Sequence, residues 1–194
     1  MSVVVAIPKD GVIYFGADTQ TTMDNTKYQI TDEHLLKLHI IGNWVVGSCG
    51  NCASIQIGLN ILNQLKDLPL TKNMLVNEFM PRFIKEAKDR NLIFSSESIE
   101  KNQMAFPSLL IGCKDKLYAI NGCSIFKAVT PYSIGTGGMY LLNSINYDNQ
   151  NLDVNDIIAD AIRKYGSTNL YVNKGVTFAN TSDLKLEVLY DNSL

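Results

Sequence analysis

The chain has 194 residues, 46% of them hydrophobic and 19% charged, with a formal net charge of −2. This length suits one domain spanning residues 1–194 with a sizeable core, and the composition excludes a disordered chain. No apolar run reaches the roughly 18 residues of a membrane-spanning helix. The lack of a basic surplus argues against a nucleic-acid partner.

The chain opens on an apolar run over 3–8, a turn at Lys9-Asp10-Gly11 and a second apolar run over 11–17 that ends in Asp18. This pattern predicts a β-hairpin that returns Asp18 to the neighbourhood of the chain start. Ser2 stands at that start. With Met1 removed, as is usual before a small residue, Ser2 carries both a hydroxyl and a free α-amine. Such an amine, with a pKa near 7.7–8.0, can serve as a base close to neutrality, the pairing that N-terminal hydrolases use.

Residues Lys37–Ser48 read as a second hairpin around Gly42-Asn43, which places four strands before residue 50. From Asn51 to Lys66, Ile55, Leu59, Leu62 and Leu65 recur at helical steps, and Asp67-Leu-Pro69 closes the helix. Thr71 caps the next helix, over 72–90, with Leu75, Phe79, Phe83 and Ala87 on one face and Lys85, Glu86, Lys88 and Asp89 on a solvated one. Pro81 predicts a kink or break inside it. The polar stretch 92–104 reads as a loop or helix extension.

A hairpin follows over Ser108–Cys113 and Lys116–Ile120, and Asn121-Gly122 turns the chain into a strand around Ile125. Met139–Tyr147 and Val154–Tyr165 read as helices, the second with Ile157, Ile158, Ala161 and Ile162 buried. Val176–Ala179 and Leu184–Leu189 form the last hairpin. Blocks of antiparallel strands alternating with helix pairs give an α+β layered architecture.

The four cysteines, Cys49, Cys52, Cys113 and Cys123, are too few and too scattered for a disulfide framework. The single C-x-x-C pair, Cys49 and Cys52, is a weak zinc signal without a second pair, so no metal or cofactor is expected. His34 and His39 read as surface or strand residues. The start of the chain lacks a basic, apolar leader pattern, which gives a cytoplasmic expectation.

The small residue at position 2, Gly16-Ala-Asp18-Thr-Gln-Thr-Thr22, Lys37-Leu-His-Ile-Ile-Gly, Gly47-Ser-Cys-Gly50 and Ile134-Gly-Thr-Gly-Gly138 follow one another in an order that resembles the proteasome β-subunit family, including HslV. The resemblance covers almost the whole chain. It implies a four-layer αββα sandwich of two antiparallel sheets between helix layers, the N-terminal nucleophile hydrolase type. It also implies subunits assembled as a homo-oligomeric ring around a chamber, acting on peptides or unfolded protein, with an ATP-dependent unfoldase as a possible partner.

Carried over residue by residue, Ser2 takes the nucleophile position, where the family has threonine. Asp18 takes the first carboxylate position, and Lys37 is the lysine that it would keep charged; a small insertion around Thr31–His34 accounts for their spacing. Gly50 supplies the oxyanion N–H, and Thr136 stands where a serine hydrogen-bonds near the amine. Thr21, Thr22, Ser48 and Cys52 fall at the substrate pocket, which implies small or neutral side chains beside the cut. The family's late aspartate is replaced by Ser167 or Asn169. Three readings follow: a threonine-type peptidase with a serine nucleophile, a catalytically silent subunit acting as a scaffold, and a small-molecule amidase on the same fold. Asp18 alone would read as a turn carboxylate and Lys37 alone as an edge-strand charge.

Overall fold

Apolar side chains on both faces of the opening strands place them in the interior, between a second sheet and a helix layer. The structure, a computed structural model, describes residues 2–23, 26–29, 36–92, 106–145, 153–168, 172 and 175–189, with 21–23 and 26–29 described by their backbone. β1 (Val4–Lys9) and β2 (Val12–Asp18) pair antiparallel, with Lys9 opposite Val12. Asp10 and Gly11, at φ 51° and 79°, form the two-residue turn, whose positive φ values match the twist of the flanking strands. β3 (Gln20–Met23) and β4 (Thr26–Gln29) form a separate two-stranded ladder.

The second sheet runs in chain order: β5 (Leu38–Ile41), β6 (Trp44–Cys49), β7 (Ser108–Cys113), β8 (Lys116–Asn121) and β9 (Ser124–Ala128). The first sheet is completed by β10 (Tyr132–Ile134) beside β1, then β11 (Val176–Asn180) beside β2 and β12 (Glu187–Leu189) at the edge. Every pairing within both sheets is antiparallel.

The strand period of two sorts side chains into three cores. Val4, Ala6, Phe15 and Ala17 meet Leu38, Val45, Leu110 and Leu117 between the sheets. Val3, Val5 and Ile7, one residue out of phase, pack under α3 (Gly138–Ser144) and α4 (Val154–Thr168) through Leu141, Ile158 and Ile162. Trp44, Val46, Leu109 and Ile111, on the outer face of the second sheet, pack under α1 (Cys52–Leu65) and α2 (72–89). The result is the four-layer αββα sandwich.

Asn51 caps α1 by accepting the N–H groups of Ala53 (2.9 Å) and Ser54 (3.4 Å). The helix buries Ile57, Ile61, Leu62 and Leu65. The expected stripe is therefore rotated: Ile55 and Leu59 are half-buried at its margin, while Leu62 is fully buried. The second helix, α2, consists of Lys72–Met74, a π-helical stretch Leu75–Phe79 and Met80–Asp89. Thr71 Oγ1 caps it, accepting from Met74 N at 3.1 Å. Pro81 has no N–H to donate and crowds the carbonyl four residues earlier. The wider π turn just before it lets the helix continue rather than break.

Two expectations are corrected. Six strands, not four, precede Gly50, because β3 and β4 lie between the two hairpins read from the sequence. β10, only three residues long, was not expected. The loop read over 92–104 falls almost wholly outside the described residues.

Candidate active site

Antiparallel pairing of β1 and β2 brings Asp18 back to the chain start. Asp18 N–H donates to Val3 O at 3.3 Å, and Val3 N–H donates to Asp18 Oδ1 at 2.8 Å. Lys37, one residue before β5, places Nζ 2.6 Å from the same Oδ1 and donates to Gln20 O at 2.6 Å. Gln20 N–H donates to Asp18 Oδ2 at 3.2 Å. The side chains of Lys37 and Asp18 are 8% and 0% exposed. Lys37 is therefore no edge charge; it is a buried ammonium with a carboxylate and a carbonyl as partners, and among the described residues the carboxylate takes donors from Val3, Gln20 and Lys37.

Ser2, half-buried, is the residue just before this anchored Val3. Gly135 packs on its carbonyl. A Cβ at Gly135 would stand 2.7 Å from the Ser2 carbonyl carbon and 3.1 Å from Cys49 Sγ, and φ is +89°, a conformation suited to glycine. Thr136, next in the chain, is exposed. Cys49 is buried, and burial pushes its thiol up to about 12, with the Lys37 charge opposing the shift. Gly50 follows it at φ +126°, between the end of β6 and the Asn51 cap. The structure thus groups Ser2, Asp18 and Lys37, and sets Cys49, the neighbour of Gly50, against the loop that carries Thr136.

Ser48 N–H donates to Lys37 O at 2.8 Å, and its hydroxyl lies 3.4 Å from both Lys37 O and His39 Nε2. Burial lowers the pKa of His39 to about 4, so the imidazole is neutral beside the hydroxyl. Cys52 is the exposed first residue of α1. Thr21 and Thr22 pair with Tyr28 and Lys27 along β3 and β4, and their side chains lie outside the described residues. Ser167 is exposed in the last turn of α4, where its hydroxyl donates to Lys164 O at 2.7 Å. Asn169, His34 and the expected insertion over 31–34 lie outside the described residues. Among the described residues no group of three or more His, Cys, Asp or Glu side chains could hold a metal.

Sequence reasoning missed Val3 N–H, Gln20 O and Gly135 as parts of this neighbourhood. Only Gly135, inside the Gly-Thr-Gly-Gly run, carried a sequence signal.

No protein-family model matches the chain, and no curated protein sequence does. Solved structures do. BPH from Thiobacillus denitrificans superposes with a TM-score of 0.70 at 16% identity, covering 92% of this chain and 96% of that one. The fold is that of the proteasome β-subunits and HslV. HslV from Trypanosoma brucei matches with a TM-score of 0.65 at 17% identity, over 92% of this chain and 98% of that one. Anbu, the ancestral β-subunit, from Yersinia bercovieri matches at 0.67 and 16%, over 98% and 88%. The sandwich places Ser2, Asp18 and Lys37 at one end of the β1–β2 and β5–β6 hairpins.

Proposed function

We propose that the chain is a proteasome-like peptidase in which Ser2, exposed by loss of Met1, is the nucleophile. The observation that carries this reading is the buried Lys37–Asp18 pair, tied through the Val3 N–H to the residue that follows Ser2. A buried charge pair costs desolvation and is weak as a stabilising device, so its placement beside a chain start points to chemistry there.

The reaction is acyl transfer. The Ser2 amine accepts the proton of its own hydroxyl as Oγ attacks the peptide carbonyl. The Lys37 ammonium nearby lowers the proton affinity of that amine towards neutrality. The Gly50 N–H meets the developing oxyanion, a contribution of about 2.7–4 kcal/mol for a well-aimed donor. Collapse of the tetrahedral intermediate passes the proton to the leaving amine and leaves an ester on Ser2. Water, deprotonated by the same amine, then releases the acid. Thr136 lies on the loop that touches Ser2, and by the family resemblance we assign Thr21, Thr22, Ser48 and Cys52 to the substrate side, with small or neutral side chains preferred. On the same reading we assign the chain to a homo-oligomeric chamber in the cytoplasm, with peptide or unfolded protein as substrate and an ATP-dependent unfoldase as a further partner. Met139 and Tyr140, 78% and 69% exposed at the start of α3, offer apolar contact surface for it.

A second reading, a silent subunit, is favoured by one observation. Ser167 turns its hydroxyl to its own helix and brings no charge to Ser2. Treatment with a peptide epoxyketone or β-lactone, followed by intact and peptide-level mass spectrometry, separates the two. One adduct, on Ser2 of chains lacking Met1, is expected. Chains that lack Met1 and take no adduct at Ser2 would leave the scaffold.

A further inference from the structure

We propose that Tyr165, on α4, is a positioning residue for Ser2 that acts through the Gly135–Gly138 loop; the proposal rests on the reading of Ser2 as nucleophile. The loop is held in a slot. On one side Gly135 lies against the Ser2 carbonyl, so that a Cβ would stand 2.7 Å from its carbon. On the other side Gly137 lies against the Tyr165 ring, where a Cβ would stand 2.9 Å from Cζ and 3.1 Å from the hydroxyl oxygen. Neither wall leaves room for a side chain, so the backbone itself is the spacer between Tyr165 and Ser2.

The spacer is stiff. Gly138 N–H donates to Gly135 O at 3.1 Å, which closes the loop into a turn, and Leu141 N–H donates to Gly137 O at 3.0 Å, which ties it to α3. The Tyr165 ring stacks on Tyr140, the centroids 6.1 Å apart and the planes at 11°. Its helix is fixed on the first sheet by Ile158 and Ile162, both fully buried. Movement of the ring would therefore reach Gly135 with little lost in between, and Gly135 touches the peptide unit of Ser2 itself. Asp18 fixes that segment from the other side, at Val3 N–H. Where the end of α4 offers no carboxylate from Ser167, this helix contributes the Cε1, Cζ and hydroxyl side of the Tyr165 ring instead.

The test compares Tyr165→Phe, Tyr165→Leu and Tyr165→Ala in the full chain by steady-state peptide hydrolysis and by peptide-resolved hydrogen exchange. Tyr165→Phe keeps the ring against Gly137, so in both measurements it should stay much closer to the wild type than Tyr165→Ala does. Tyr165→Ala should lower kcat about 10- to 100-fold with KM within about twofold, the size expected when a nucleophile is misplaced by up to ~1 Å. It should also speed exchange at residues 3–6 together with 133–138. If Tyr165→Ala does not fold, Tyr165→Leu carries the same expectation. Faster exchange confined to α4, with residues 3–6 and kcat unchanged, would overturn the proposal and leave Tyr165 a packing residue. Should wild type and Ser2→Ala hydrolyse peptide equally, the peptidase reading fails on its own, and the exchange at residues 3–6 still decides whether Tyr165 holds Ser2.

Discussion

Replacing Lys37 with methionine removes the ammonium, keeps most of the side-chain volume and leaves the buried Asp18 carboxylate, among the described residues, with the N–H groups of Val3 and Gln20. Breaking a buried pair by removing one partner costs about 3–5 kcal/mol. Two donors remain on Asp18, so we expect the lower end, about 3 kcal/mol, which for a chain of this size lowers Tm by about 6–12 °C. Asp18→Asn strands the ammonium in turn, on Gln20 O. In the double variant both groups are neutral, so its loss should be smaller than the sum of the single losses by about 2 kcal/mol or more. Urea unfolding followed by circular dichroism measures all four corners of the cycle. A Lys37→Met loss under about 1 kcal/mol, the scale of an exposed pair, or strictly additive losses, would refute the geometry on which the site is built.

His39 makes stability depend on pH. Its pKa is about 4 in the folded chain against 6.5 unfolded, so below 6.5 the unfolded chain binds a proton that the folded one does not. Stability should fall as pH drops from about 6.5 to 4 and level off below that, by at most about 3 kcal/mol; His39→Gln should flatten this component, and identical pH profiles in the two proteins would contradict it. Cys49, buried and with its thiol pushed up to about 12, should resist iodoacetamide at pH 8 while the exposed Cys52 and Cys123 are alkylated, as read by peptide mass spectrometry. Ser2→Thr adds the γ-methyl that restricts χ1 and should hold or raise kcat; a steep loss would mean that the site is shaped around serine.

The layers were legible because strand alternation and helix caps are local signals. The apolar runs around Asp10-Gly11, the Thr71 cap and the Phe79–Phe83–Ala87 face each depend on residues within a few positions of one another. β10 was illegible because three residues are too few to display alternation. The π turn before Pro81 is one of two ways to accommodate a mid-helix proline, and the sequence does not choose between them. The return of Asp18 to the chain start follows from the hairpin pattern, whereas Lys37 enters only through the resemblance to the proteasome β-subunits. The seat beneath Ser2 was not legible: Gly135 lies 133 positions away in the chain, and only the pairing of β10 with β1 brings it there. Tyr165 looked like one more ring at the end of an amphipathic helix, because its partner, the backbone of Gly137, leaves no side-chain pattern to match.

The central claim is that the hydroxyl of Ser2, next to its own free amine, performs the hydrolysis. The most direct measurement is the rate of cleavage of one fluorogenic peptide by wild type and Ser2→Ala, each shown by intact mass to lack Met1. Hydrolysis by the wild type and a loss to background in the variant are expected, with the assembly state unchanged by light scattering. Equal rates in the two proteins would contradict that claim.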